Sequence, residues 1–76
     1  VKLTVVLRRH VDDWEYYVAE CPAIPGCISE GRTVDEALAN IREAAELCME
    51  TLADMGEPMP SEGDVVVAVV DAAKPI

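Results

Sequence analysis

Between Thr33 and Gly56 apolar residues recur in alternating steps of four and three, at Val34, Leu38, Ile41, Ala45, Cys48, Leu52 and Met55. That spacing lays one continuous stripe along a helix of 3.6 residues per turn. Thr33-Val34-Asp35-Glu36 has the form of a capping box, in which the threonine hydroxyl accepts from a free helical amide and Glu36 reaches back. Gly56 is the expected C-terminal cap. Val34 to Met55 would extend roughly 33 Å, longer than any strand available here. Committing that much of a 76-residue chain to one helix leaves room for a single domain in which the helix covers one face of a small sheet.

The strands must come from what remains. Lys2 to Arg9 alternates Leu3, Val5 and Leu7 with Thr4, Val6 and Arg8, so Leu3, Val5 and Leu7 are expected to point inward. His10 to Asp13 reads as a polar turn. Trp14 to Glu20 is a second strand with Tyr16 and Val18 on one face, and the two strands form a hairpin. Pro22, Pro25 and Gly26 stop the pairing, Cys27 to Glu30 is a short third strand, and Gly31 ends it. After the helix, Glu57 to Gly63 is a loop and Val65 to Val70 an unbroken apolar run, read as an internal fourth strand. Asp71 to Ile76 is a short tail. A right-handed crossover would lay the fourth strand parallel to the first, giving a two-layer α+β fold, β-β-β-α-β, with sheet order 3-2-1-4. The uncovered face, to which Val6, Tyr17, Val66 and Val70 are assigned, is the expected oligomer interface.

Fifteen acidic against six basic residues give a net charge of -9, which repels phosphate backbones and anionic lipid and favours a basic protein partner. Apolar residues make up 51% of the chain, enough for a folded core, yet no run approaches the ~20 apolar residues of a membrane span. A cytoplasmic protein is expected. Cys21, Cys27 and Cys48 are an odd number, which excludes a complete set of internal disulfides and fits a reducing compartment. Their spacing matches neither a zinc knuckle nor a redox pair, so structural thiols are expected, with no metal and no cofactor.

The catalytic inventory is thin: one histidine, His10, no nucleophile elbow and no phosphate loop. The predicted topology resembles half of a ribonuclease-H-like sheet, whose two-metal chemistry needs clustered carboxylates. Asp12, Asp13, Glu36, Asp64 and Asp71 could in principle gather, but unconstrained acidic turns are the commoner explanation. The stiff Pro22-Ala23-Ile24-Pro25-Gly26-Cys27 loop either presents a contact surface or only redirects the chain.

Tyr16-Tyr17-Val18-Ala19-Glu20-Cys21-Pro22, Ile24-Pro25-Gly26-Cys27, Gly31, Thr33, Glu36-Ala37, Glu43-Ala44 and Gly56-Glu57-Pro58 occur in this order along nearly the whole chain. The combination resembles the HicB antitoxin family. The resemblance implies a partial ribonuclease-H-like fold without catalytic acids, and a prokaryotic module in which the protein sequesters HicA, a small basic toxin that cleaves messenger RNA with a histidine. Members that repress their own operon carry a further DNA-binding module, for which the residues after Val70 leave no room, so direct nucleic-acid binding is not expected. The expected function is non-enzymatic occlusion of such a ribonuclease. Asp12, Asp13, Glu15, Glu20 and Glu30 would steer the partner, and Trp14 would either anchor it or belong to the core. The alternatives are an orphan regulatory or structural oligomeric domain, and a metal-dependent nuclease using Asp12, Glu36, Asp64 or Asp71.

Overall fold

A computed structural model describes residues 1–75. Three strands, β1 (Val6–Val11), β2 (Glu15–Glu20) and β3 (Ile28–Gly31), are followed by a 21-residue helix, α1 (Val34–Asp54), and a single 3-10 turn over Glu62–Asp64. The sheet is an antiparallel meander in the order β1-β2-β3, with Leu7 opposite Ala19, Val18 opposite Glu30 and Ala19 opposite Ser29. The α+β class and the first three strands agree with the sequence reading. The first strand begins at Val6 rather than Lys2, and it continues through His10 and Val11, so the polar turn is confined to Asp12–Trp14.

The helix ends are local and obey their signals. The Thr33 hydroxyl accepts from the Glu36 amide at 3.0 Å, while the Glu36 carboxylate accepts from the Arg32 amide at 3.3 Å. At the other end Gly56 has φ +71°, and the Glu57 and Gly56 amides donate to the carbonyls of Leu52 and Ala53, closing the helix with a Schellman motif.

The core is small: Ala19, Cys21, Ile24, Cys27, Ala37, Ile41 and Ala45 are buried, with Leu3, Val5, Leu7, Tyr17, Cys48 and Met49 packed around them. The helix is therefore rotated relative to the predicted stripe. Val34 and Leu38 lie at the rim and Met55 is exposed, whereas Ala37 faces the sheet. The cause is the close approach of α1 to β3, since a Cβ on Gly31 would lie 2.4 Å from the Ala37 nitrogen. No side chain at position 31 fits such contact with the backbone of Glu36 and Ala37. Asn40 fastens the same junction by donating from its amide to the Glu30 carbonyl at 2.7 Å.

The proline loop serves this core. The Ile24 amide donates to the Cys21 carbonyl, the Cys27 amide to the Ile24 carbonyl and the Cys21 amide to the Cys27 carbonyl, each at 3.0 Å, and Gly26 takes φ +80°. The loop thereby drives Ile24 inward between two buried cysteines.

Two expectations are corrected. Val65–Val70 forms no strand, so the order 3-2-1-4 is not formed; Val66, Val67, Val69 and Val70 are between 73% and 96% exposed, and neither Val66 nor Val70 lies on the sheet. A β-branched run is competent to be a strand, but strand formation also needs a neighbour. Tyr17 belongs to the covered face, because it shares that face with buried Ala19 two residues on and packs against the core. Val6 does lie on the open face, opposite Glu20. The tail expected over Asp71 to Ile76 includes Ile76, which lies outside the described residues. No helix among the described residues is long and apolar enough to cross a membrane.

Candidate functional site

The β1–β2 turn and the β3–α1 junction lie at the same end of the sheet, and an open groove of about 580 Å³ runs between them. Asp12, Asp13 and Trp14 come from the turn, Tyr16 from β2, Glu30 and Gly31 from β3, and Arg32 and Glu36 from the start of the helix. The turn is fixed by the Asp12 amide donating to the Trp14 carbonyl at 3.0 Å. Trp14 is 62% exposed, which settles its place as a surface residue rather than core. The Arg32 guanidinium carbon stands 5.1 Å from the centre of the indole ring, a cation–π contact that holds the ring from one side. Beside it His10 and Tyr16 stack with their centroids 5.2 Å apart.

Four carboxylates, those of Asp12, Asp13, Glu30 and Glu36, thus surround one tryptophan and one arginine. Such a groove attracts cations and offers a flat apolar surface to receive them. Of the predicted partner residues, Asp12, Asp13, Trp14 and Glu30 are brought together here. Glu15 and Glu20 are not. Glu15 accepts from Arg9 at 2.8 Å and from the Tyr17 hydroxyl at 3.0 Å on the covered side of the sheet, and the hydrogen bond to Glu15 is the main cause holding the Tyr17 phenol above its usual range. Glu20 lies at the far end of β2, opposite Val6 and Ile28. The sequence reading missed Tyr16, Arg32 and, as a partner contact, Glu36. Arg32 beside the Thr33 cap was the available signal, since a residue preceding a helix start must lie near the end of the strand that feeds it.

The carboxylates proposed for metal chemistry are divided: Asp12 and Glu36 line the groove, and Asp64 sits in the 3-10 turn. Among the described residues no group of three His, Cys, Asp or Glu side chains is arranged to hold a metal ion. The three cysteines are free thiols, Cys21 and Cys27 buried and Cys48 partly so. Burial, then the neighbouring Cys48 and Cys21, push the Cys27 thiol up to about 11, the signature of a structural rather than a nucleophilic thiol.

The fold is that of a small α+β module, a three-stranded antiparallel sheet followed by one long helix. The profile described as a HicB-like antitoxin of bacterial toxin–antitoxin system matches residues 4–73. A UPF0150 protein of Thermoplasma acidophilum is 38% identical over 69 residues, covering 91% of this chain and 97% of that protein. Another from Synechocystis sp. is 44% identical over 64 residues, covering 84% and 77% respectively, and one from Helicobacter pylori is 37% identical over 57 residues, covering 75% and 79%. No solved structure matches the chain. The chain belongs to the HicB-like antitoxin family.

Proposed function

We propose that this chain is the binding half of a toxin–antitoxin pair, and that it inactivates a small basic ribonuclease of the HicA type by covering it. The observation that carries the reading is the groove, in which exposed Trp14 is ringed by Asp12, Asp13, Glu30 and Glu36 on a chain of net charge -9. An arginine or lysine from the partner would enter between carboxylates and lie on the indole face opposite Arg32, as ion pairing and cation–π attraction reinforce one another in a partly desolvated site. The ribonuclease is then masked sterically and no chemistry is required of the antitoxin, whose family membership favours a binding module over an enzyme.

The experiment is co-expression with the small basic reading frame adjacent to the gene, followed by purification and an RNA-cleavage assay. The wild-type chain should co-purify with that protein and suppress cleavage. Trp14→Ala should weaken the complex by about 30-fold, in line with the ~2 kcal/mol lost at an aromatic interface anchor. Asp12→Asn combined with Asp13→Asn should slow association and flatten its dependence on salt. Unimpaired cleavage in the presence of the wild-type chain would refute the reading.

A further inference from the structure

One residue of the groove is out of keeping with the rest. Of the six basic residues in the chain, Arg32 alone lines it, among Asp12, Asp13, Glu30 and Glu36. With four carboxylates around the same groove an ion pair is the expected arrangement, yet Arg32 forms none among the described residues. Its guanidinium is laid instead over the Trp14 ring, 5.1 Å from the centroid.

The helix gives no reason for a cation at this position. Arg32 directly precedes the Thr33 N-cap, where the aligned backbone dipoles are positive, and the first turn already carries the matching charges, Asp35 and Glu36. Only the backbone of Arg32 serves the helix, through the amide it donates to the Glu36 carboxylate at 3.3 Å, and any residue except proline supplies that amide. The side chain is exposed and outside the core. What it provides is a guanidinium seated on an exposed indole, the same group that a basic partner would bring.

Two consequences follow for a second cation. One face of the ring is filled. Arg32 also offsets one of the four carboxylate charges and repels a like charge arriving on the other face, across a ring that screens far less than water. Without it, an open aromatic ring among carboxylates on a chain of net charge -9 would collect small cations indiscriminately. We infer that Arg32 is a resident cation that sets the selectivity of the groove: it turns away single small cations, such as arginine amide and spermidine, and reserves the groove for a protein surface that presents several basic side chains at once. This inference rests on the reading of the groove as a partner site and adds how the site is restricted. The wrong ligand is rejected by a built-in repulsive group. A protein surface overcomes one like charge because its contacts outside the groove add to those within it, and a free cation has no such contacts.

Titration of the full chain with arginine amide and, separately, with spermidine at low ionic strength, followed by Trp14 emission and by calorimetry, tests this. Wild type should bind either cation only weakly. Arg32→Gln should bind both about tenfold more tightly, the combined effect of a freed ring face and a removed like charge. Arg32→Lys, which restores the charge, should return to wild-type affinity, an outcome that mere loosening of the turn would not produce. The helical circular dichroism should persist in both variants, since the side chain lies outside the core. Equal affinity in wild type and Arg32→Gln would overturn the inference, as would absence of binding in all three proteins or an Arg32→Lys variant as tight as Arg32→Gln. No partner protein is present in the titration, so a failure here leaves the occlusion of a ribonuclease standing, and unimpaired RNA cleavage refutes occlusion whatever the titration shows.

Discussion

At Gly31 the helix and the sheet touch backbone to backbone, and a Cβ there would be 2.9 Å or less from three backbone atoms of Glu36 and Ala37. Gly31→Ala should therefore lower stability by about 1–3 kcal/mol, the usual cost of overpacking where backbone has to move, as read from urea unfolding. Cys27 gives a prediction in pH. Its thiol is held near 11 in the folded chain, against an ordinary value of 9.0, because burial and the two neighbouring thiols disfavour the thiolate. The folded state thus keeps its proton while the unfolded state loses it, so this contribution is intact below about pH 9 and declines from there towards 11. Chemical denaturation across that range should show the decline, and Cys27→Ser should flatten it. Gly31 was legible as a strand terminator but not as a contact, because no local pattern states how closely two elements will approach.

At the scale of elements, what the sequence announces best is where the helix starts and stops. Capping is a matter of a few consecutive residues, and Thr33, Glu36 and Gly56 fulfil it as their order implies. Thr33→Ala should cost about 1 kcal/mol, the ordinary loss when an N-cap hydroxyl is removed, and the helical signal at 222 nm should melt earlier. Which side of the helix faces inward was less legible. Alanines at positions 37 and 45 are buried while Leu38 is half out, and the helix backbone at Ala37 approaches β3 so closely that a Cβ on Gly31 would stand 2.4 Å from its nitrogen. Val65–Val70 shows the same limit in another form. Its composition states that it can be a strand, whereas pairing depends on an edge located elsewhere. The groove was half legible for a similar reason: Asp12-Asp13-Trp14 is a local turn, but Arg32 and Glu36 join it only through the tertiary fold.

For the whole molecule, charge is the dominant quantity. A net charge of -9 on so small a body is self-repulsive, and only two ion pairs are formed among the described residues, Arg9–Glu15 at 2.8 Å and Arg42–Glu46 at 3.7 Å, both exposed. Exposed pairs of this sort contribute little. Added salt should therefore stabilise the fold, since screening shortens the range of repulsion from about 30 Å at low ionic strength to about 8 Å near physiological strength. A melting temperature that rises with sodium chloride is the expected result, and a fall would mean that local pairs outweigh the global field.

The position of the chain's single tryptophan determines what light can report. Trp14 stands in the groove with more than half its surface in water and Arg32 on one side. Its emission in the native state should already resemble that of a solvated indole, so denaturation will change the spectrum little, and a fluorescence melt would understate a cooperative transition that circular dichroism records in full. An occupant that seats itself on the exposed side of the indole strips water from the ring and shifts the emission to the blue. The fluorophore is therefore nearly blind to folding and sensitive to capture, and an unlabelled titration can read the groove without any engineered probe.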